Sequence, residues 1–291
     1  MNVINGTTKV CGLIGNPVGH SISPLIHNKL AKLCNIDMVY TTFKVEKGCV
    51  ETAVKGAFAL DIKGLNVTVP HKQEVIDVLD DIDPMAKAIG AVNTLVRTDK
   101  GYKGYNTDIL GLERELDELG IKLGGNKVII LGAGGAARAI AFLCVNKGAV
   151  SVNILNRTVE KAQSIANDVN THLNSCVAKA MALSDYNMLE GDDYIVIQTS
   201  SVGLYPNCDS AVIEDEEFYK KAAVGVDIIY NPATTKFIKL INAQGKCAYN
   251  GLKMLLYQGV SAFELWNNIK VTDEQANEVY ECMKKELNIV E

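Results

Sequence analysis

The chain has 291 residues, a length that predicts about two domains. Apolar residues make up 48% and charged residues 22%, which excludes disorder as the main state, and no stretch of about 18 apolar residues predicts a membrane-spanning helix. The net charge is −5, and no basic run exceeds pairs such as Lys284-Lys285, so we expect neither nucleic acid nor a membrane as the main partner.

Helical and extended patterns alternate along the chain, which predicts an α/β fold. In the first hundred residues we expect a helix after Ser23, with Ile26, Leu30 and Leu33 on one face. A second helix is expected over residues 108–119, ended by Gly120. The strands predicted in this part are residues 9–14, 38–45, 62–69 and 92–98.

The middle of the chain reads as a βαβ series, which is typical of a doubly wound parallel sheet. It opens with a short apolar strand, residues 127–132, of the kind buried in parallel sheets. The further predicted elements are a helix over 135–146, a strand over 151–156, a helix after Thr158, and strands over 193–199, 223–230 and 246–250. Two helices complete the chain, one over about 252–268 and one starting at Thr272, where TDEQ fits a capping box.

The segment LGAGGAAR (131–138) satisfies the dinucleotide pattern G-x-G-x-x-A between a strand and a helix. Gly132 permits the tight turn, Gly134 lets a pyrophosphate approach the backbone, and Ala137 lets the helix pack closely. The helix N-terminus then presents free N–H groups to the phosphates, which predicts a Rossmann-like cofactor domain. The alternative is a glycine-rich turn that binds nothing. The candidate cofactor residues in this loop are Gly132, Ala133, Gly134, Gly135 and Ala136.

The residues after the second strand of this series favour NADP(H) over NAD. An NAD site places an acid there to bind the ribose hydroxyls, whereas this strand ends in Asn156. Arg157 and Lys161 attract a 2′-phosphate, and Asn156 and Thr158 can hydrogen-bond it. The alternatives are that Arg157 is a solvated charge and Thr158 only a helix cap, or that Glu160 approaches the ribose.

Polar clusters in the first hundred residues suggest a substrate site. Ser21 and Ser23 lie two apart in GNPVGHSISPLIHN, so their hydroxyls can point the same way and hold a carboxylate at the start of a helix. Alternatively, Ser23 is only the N-cap, with Pro24 as the first helical residue. The remaining candidates are Asn66, Thr68 and Lys72 of NVTVPHK, Asn93 of GAVNTL and Asp108 of GYNTDILG.

Each of these residues also has an ordinary interpretation. A lysine after a strand is usually a solvated charge, and an aspartate in a first helical turn favours the helix dipole. His20, His27 and His71 lie beside the motifs, and we interpret them as structural or peripheral. No cluster of His, Cys or carboxylate residues has metal-ligand spacing, so no metal site is expected. The eight cysteines are at least fifteen positions apart and are expected to be reduced thiols.

The motifs GNPVGHSISPLIHN, NVTVPHK, GAVNTL, GYNTDILG, LGAGGAAR with NRT, and NGLKMLLYQG occur together and in this order between residue 12 and about residue 259. As a set they resemble shikimate dehydrogenase. The resemblance implies an NADPH-dependent, cytoplasmic enzyme that reduces 3-dehydroshikimate to shikimate, a step towards chorismate and the aromatic amino acids. It implies a substrate domain of residues 1–108 completed by helices of residues 251–291, a Rossmann-like NADP domain of residues 109–250, and a site in the cleft between them.

The resemblance also implies roles for particular residues. Lys72 and Asp108 match the catalytic pair, and a lysine ammonium can act as general acid in reduction and general base in oxidation. Ser21 and Ser23 match the residues that hold the substrate carboxylate. The positions that match hydroxyl contacts are Asn66, Thr68, Asn93 and Gln258, with Tyr230 nearby, and those on the cofactor side include Ile228 and Gly251. Lys161 departs from members that carry a second arginine there, so selectivity for NADP could be weaker.

Three alternatives remain open from the sequence. An NAD-preferring quinate/shikimate dehydrogenase would carry an acid near residues 156–161. A non-enzymatic sensor of NADP and a small acid would need neither Lys72 nor Asp108. Another reductase of this architecture, such as a folate-linked dehydrogenase, would lack the pair Ser21 and Ser23. The expected partner is a small-molecule substrate, and the expected assembly is a monomer or homodimer.

Overall fold

The structure, a computed structural model, describes residues 4–289 and divides into two compact units. The first comprises Met1–Arg114 and Leu255–Glu291, and the second comprises Glu115–Met254. The chain passes from one unit to the other inside two helices, after Arg114 and after Met254. No turn or change of composition marks these points, because helical periodicity continues through them.

The first unit contains a mixed six-stranded sheet. Its strands are β1 (Lys9–Gly15), β2 (Met38–Lys44), β3 (Gly64–Val67), β4 (Asp81–Ile82), β5 (Thr94–Arg97) and β6 (Tyr102–Tyr105). They lie in the order β2-β1-β3-β5-β6-β4, with β1 parallel to β2 and β3, and β5 antiparallel to β3 and β6. The accompanying helices are α1 (Ser23–Leu33), α2 (Val50–Ala59), α3 (Pro84–Ile89) and α4 (Thr107–Glu118).

The strand predicted over residues 62–69 is shorter in the structure. It ends at Val67, because the backbone N–H of His71 bonds to the carbonyl oxygen of Thr68 in a turn and Pro70 has no N–H to continue a ladder. The two short strands β4 and β6 and the helices α2 and α3 were not predicted. In β6, only Tyr102 and Gly104 are buried, and a glycine gives no strand signal.

The second unit contains an all-parallel six-stranded sheet. Its strands are β7 (Lys127–Leu131), β8 (Ser151–Asn156), β9 (Ala178–Ala182), β10 (Tyr194–Gln198), β11 (Ala222–Asp227) and β12 (Cys247–Tyr249). The order β12-β11-β10-β7-β8-β9 is that of a doubly wound Rossmann-like sheet, so the predicted two-domain α/β fold class is confirmed. The helices of this unit are α5 (Gly135–Asn146), α6 (Val159–His172), α7 (Glu216–Tyr219) and α8 (Lys236–Ala243).

Two helices, α9 (Leu252–Asn267) and α10 (Asp273–Glu286), complete the first unit. The predicted capping box is present, with Thr272 and Gln275 each bonded to the other's backbone N–H. Trp266 of α9 anchors that helix to the sheet, since its indole Nε1 donates to the carbonyl oxygen of Leu95 at 2.9 Å. Among residues 4–289, no helix has the length and apolar character needed to cross a bilayer.

Candidate active site

Lys72 and Asp108 form a close ion pair in the first unit. The carbonyl oxygen of Lys72 accepts from the backbone N–H of Val92 at 2.8 Å, and Asp108 lies in the first turn of α4. The Lys72 Nζ lies 2.7 Å from the Asp108 Oδ2, although 36 positions separate the two residues in sequence. Their side chains are 33% and 27% exposed, so the pair is reachable from solvent.

Asn93 holds the other oxygen of the same carboxylate. Its Nδ2 donates to the Asp108 Oδ1 at 2.8 Å. The backbone of Asn93, just before β5, donates to the carbonyl oxygen of Tyr105 and accepts from the N–H of Val67. The sheet therefore fixes Asn93, which together with Lys72 fixes the orientation of the Asp108 carboxylate.

A buried series of hydrogen-bonded polar groups leads from Asn93 to Tyr40. The Asn93 Oδ1 accepts from the backbone N–H of Thr107 at 2.7 Å and from the hydroxyls of Thr107 and Thr94, each at 3.1 Å. The Asn66 Nδ2 donates to the Thr94 Oγ1 at 3.0 Å, and the Tyr40 hydroxyl donates to the Asn66 Oδ1 at 2.8 Å. Sequence analysis did not identify Tyr40, Thr94 or Thr107, since their strand or helix positions are equally typical of a core.

Ser21 and Ser23 are brought together. Their hydroxyl oxygens are 3.1 Å apart, and the Ser21 Oγ also accepts from the backbone N–H of Ser23 at 3.2 Å. The N-cap of α1 is Ile22, and Ser23 is the first helical residue, so the interpretation of Ser23 as the N-cap is wrong. The N-cap residue makes no side-chain capping bond, and both half-buried hydroxyls keep hydrogen-bonding capacity for a ligand.

The other first-unit candidates, Thr68 and Gln258, lie apart from this network. Thr68 follows β3 and is half-buried, and Gln258 lies on α9 with its Nε2 bonded to the carbonyl oxygen of Leu255 at 3.0 Å. Within residues 4–289, neither side chain is hydrogen-bonded to Lys72 or Asp108. Each thus keeps hydrogen-bonding capacity for a ligand.

The glycine-rich loop of the second unit leaves open space at the start of α5. Gly132 has a φ of +114°, and a Cβ there would lie 2.8 Å from the Thr199 Oγ1, so the turn requires glycine. A Cβ at Gly134 or Gly135 would meet nothing within 4 Å, whereas Ala137 is fully buried against the sheet. The exposed helix N-terminus therefore fits a pyrophosphate group.

The residues after β8 present unpaired polar groups. Thr158 is the N-cap of α6, as expected, but its hydroxyl makes no capping hydrogen bond. Arg157 and Lys161 are exposed, and within the described chain the Arg157 guanidinium makes no hydrogen bond or ion pair. The Asn156 Nδ2 donates to the carbonyl oxygen of Thr158 at 2.8 Å. This segment is cationic, although Glu160 is also exposed nearby.

The remaining second-unit candidates lie between β11 and α9. Gly251 donates its N–H to the carbonyl oxygen of Ile229, and a Cβ at Gly251 would lie 2.2 Å from the carbonyl oxygen of Ile228. Only glycine permits this approach. Tyr230 is half-buried, and burial raises the pKa of its hydroxyl, so this group is a neutral donor at physiological pH.

The histidines beside the motifs do not contact the ion pair. His71 is buried, with its Nε2 bonded to the carbonyl oxygen of Val45 at 2.8 Å. His27 is fully buried, and desolvation lowers its pKa to about 3, so the ring is neutral. In the part of the chain that the structure describes, no three His, Cys, Asp or Glu residues are grouped to hold a metal ion.

An ammonium bound to an oriented carboxylate can donate and take back a proton, and the second unit can hold a nicotinamide dinucleotide. Together these features define a nicotinamide-dependent oxidoreductase. Three family models match the chain: the shikimate dehydrogenase substrate binding domain over residues 13–95, the shikimate/quinate 5-dehydrogenase over 114–230, and the shikimate 5′-dehydrogenase C-terminal domain over 251–275.

Individual relatives agree with these models. A shikimate dehydrogenase (NADP(+)) of Methanococcus aeolicus is 42% identical over 268 residues, which are 92% of this chain and 95% of the relative. A crystal structure of a shikimate dehydrogenase in complex with NADP+ has a TM-score of 0.87 at 38% identity, covering 96% of this chain and 97% of that one. The Listeria monocytogenes enzyme in complex with shikimate and NAD has a TM-score of 0.89 at 30% identity, covering 97% and 99%. The chain belongs to the shikimate dehydrogenase family.

Proposed function

We propose that Lys72 and Asp108 are the catalytic pair of this chain, which is an NADP-dependent shikimate dehydrogenase and reduces 3-dehydroshikimate reversibly to shikimate. The observation that carries the assignment is the 2.7 Å contact between the Lys72 Nζ and the Asp108 Oδ2 in a solvent-accessible position. An amine that only balanced charge at the surface would not need a carboxylate oriented from behind by Asn93.

The residues of the pair perform the proton chemistry. NADPH, when bound, supplies the hydride that reduces the substrate ketone. The Lys72 ammonium donates a proton to the ketone oxygen as negative charge develops on it, and takes the proton back from the alcohol in the reverse reaction. Asp108 holds the amine in place and has lone pairs left to accept from a substrate hydroxyl.

We assign recognition of the substrate carboxylate to Ser21 and Ser23, whose hydroxyls are adjacent and half-buried. Thr68, Gln258 and Tyr230 keep hydrogen-bonding capacity and are assigned to the ring hydroxyls, with Asn93 contributing its second amide proton. Several such groups favour a polyhydroxylated ring, because an analogue without a hydroxyl would leave buried polar groups unpaired.

We assign the pyrophosphate of NADP to the loop at Gly134 and Gly135, and its 2′-phosphate to the segment from Asn156 to Lys161. The support for this is an open helix N-terminus and an exposed guanidinium at Arg157 with no protein partner among residues 4–289. A guanidinium can bind a phosphate through two parallel hydrogen bonds. Ile228 and Gly251 form a tight backbone contact that we place beside the cofactor.

The test is the variant Lys72→Ala, assayed by nicotinamide absorbance with shikimate and NADP+. We expect the turnover number to fall roughly 10²–10⁴-fold, with little change in cofactor affinity. The matched control is Lys103→Ala, which breaks the exposed pair between Lys103 and Asp81 (2.8 Å) in the same unit and should turn over normally. Near-full turnover by Lys72→Ala would overturn the assignment.

The same assay separates the neighbouring activity. With quinate and NAD+ as the second pair of substrates, faster oxidation of quinate than of shikimate would identify a quinate-preferring enzyme. We expect shikimate and NADP+ to give the highest kcat/KM, because the cationic residues Arg157 and Lys161 lie where an NAD enzyme would carry an acid.

A further inference from the structure

We propose that Tyr40 is a positioning residue for the reaction: its hydroxyl orients the Asp108 carboxylate through Asn66, Thr94 and Asn93. The inference rests on the proposed roles of Lys72 and Asp108. It adds Tyr40 of β2, which contacts neither of them and reaches Asn66 of β3 across the intervening strand β1.

A continuous series of hydrogen bonds leads from Tyr40 to Asp108. The Asn93 Oδ1 accepts from the backbone N–H of Thr107, a donor that cannot reverse, so the Asn93 Nδ2 must face Asp108. The Tyr40 hydroxyl donates to the Asn66 Oδ1, and the Asn66 Nδ2 donates to the Thr94 Oγ1 and, at 3.3 Å, to the carbonyl oxygen of Asn93. The Thr94 hydroxyl accepts from Asn66 and lies within hydrogen-bond distance of the Asn93 Oδ1 at 3.1 Å and of the Thr107 hydroxyl at 2.9 Å, so hydrogen bonds connect Tyr40 to Asp108 at every step.

Burial makes each of these bonds consequential. Tyr40 is 2% exposed and Asn66 5%, and Thr94 is fully buried, so water cannot replace a missing partner. Hydrogen bonds in such low-dielectric surroundings polarise one another along a chain. Without the Tyr40 donor, the buried Asn66 Oδ1 would have no hydrogen-bond partner, and the Asn66 side chain would shift and weaken its bond to Thr94. The orientation of the Asp108 carboxylate thus depends on Tyr40, at the other end of this series of hydrogen bonds.

Tyr40 is itself held rigidly. The side chain of Asn28 exchanges two hydrogen bonds of 2.9 Å with the Tyr40 backbone, and the ring of His27 stacks on the phenol ring at a centroid distance of 4.2 Å. Burial raises the pKa of Tyr40 well above its ordinary value, and desolvation keeps the His27 ring neutral. The phenol is therefore a fixed neutral donor throughout the working pH range.

The phenol also lies next to the proposed carboxylate-binding serines. The Ser23 hydroxyl is close enough to the Tyr40 hydroxyl to oppose in part the effect of burial on the pKa of Tyr40, and the Ser23 Oγ accepts from Ser21. Tyr40 thereby connects the group proposed to hold the substrate carboxylate with the chain that ends at Asp108. Loss of its hydroxyl should disturb the alignment of the substrate with Lys72 more than it disturbs binding of the cofactor.

The test compares Tyr40→Phe with Tyr102→Phe. Tyr102 is a matched control in the same unit. It is 1% exposed, and its hydroxyl donates to the carbonyl oxygen of Ile62 at 2.7 Å, a bond that does not belong to the network from Tyr40 to Asp108. Both variants should lose a similar amount of thermal stability. Only Tyr40→Phe should lower kcat with shikimate, roughly 10–100-fold, with an unchanged KM for NADP+, because small misplacements of reacting groups cost rates of this order.

A double-mutant cycle then tests the route. If the effect passes through Thr94, adding Tyr40→Phe to Thr94→Val should change kcat less than twofold. Adding Tyr40→Phe to Thr94→Ser, which keeps the hydroxyl, should lower kcat nearly as much as Tyr40→Phe does in the wild type. Normal kcat in Tyr40→Phe, or a full additional loss in the Thr94→Val background, would overturn the proposal. Normal turnover by Lys72→Ala would instead overturn the catalytic pair, so the two failures are distinguishable.

Discussion

The buried carboxyl of Glu115 should make the stability of the protein fall as pH rises. Glu115 lies on α4 and is 1% exposed, and within the described chain its Oε2 has no hydrogen-bond partner. Burial raises its pKa from an ordinary value of 4.5 to about 8, with the Glu118 charge acting in the same direction. Lys253 and the backbone N–H of Met254 oppose the shift, but Lys253 is paired with Glu118 at 2.5 Å.

The sign and size follow from these two pKa values. The folded state keeps Glu115 neutral up to about pH 8, whereas the unfolded chain ionises it from about pH 4.5. Stability is therefore complete below pH 4.5 and is lost progressively up to pH 8, at ~1.4 kcal/mol per pH unit. Between pH 5.5 and 8 this group alone removes about 3 kcal/mol from the free energy of unfolding.

The perturbation is Glu115→Gln, which keeps the shape and removes the titration. Urea unfolding followed by circular dichroism at pH 5.5 and pH 8 gives the free energy of unfolding of both proteins. From pH 5.5 to pH 8, we expect the free energy of unfolding of the variant to increase by about 3 kcal/mol relative to that of the wild type. Glu160→Gln, an exposed change of the same charge, should follow wild type. Parallel pH dependence in Glu115→Gln and wild type would refute the reasoning.

Three further substitutions have definite expected outcomes. Arg157→Ala should raise the KM for NADP+ roughly 10–100-fold and leave that for NAD+ unchanged, since a charge-assisted hydrogen bond contributes about 1.5–3 kcal/mol; equal losses with both cofactors would argue against the 2′-phosphate assignment. Gly251→Ala places a Cβ 2.2 Å from a main-chain carbonyl oxygen, so the variant should have a lower Tm than the wild type and a smaller increase in Tm on addition of NADP+. Wild-type values of both would contradict this expectation. Gly64→Ala places a Cβ 2.1 Å from the Nε1 of Trp266, the single tryptophan, and its fluorescence should shift to the red; an unchanged spectrum would show that the close packing is not required.

The second unit was the more predictable from sequence. Buried parallel strands such as β7 are nearly all apolar, and the glycine pattern follows directly after it. The strand β9 was missed because its sequence AKAMA is rich in alanine, which has little strand preference. Its strand structure comes from pairing with β8, a tertiary contact that no local pattern reports.

The candidate site was partly predictable. The order of the motifs identified Lys72 and Asp108 as candidates. No rule of sequence spacing predicts that side chains 36 positions apart approach to 2.7 Å between the Lys72 Nζ and the Asp108 Oδ2. The contact of Tyr40 with Asn66 could not be predicted from the sequence, because β1 lies between β2 and β3 and the phenol reaches across β1 to Asn66. Period-2 alternation gives the face on which a side chain lies, but not which side chain of another strand it meets.

The division of the chain has a consequence for how this enzyme can diversify. The residues proposed for proton transfer all belong to the first unit, whereas the segment 156–161 and the glycine loop belong to the second. Each unit has its own sheet, so with these proposed roles substitutions around Arg157 would change the nucleotide preference without altering the acid–base groups. Under the proposed assignment, nucleotide choice and ring chemistry would be separately evolvable traits carried by one polypeptide.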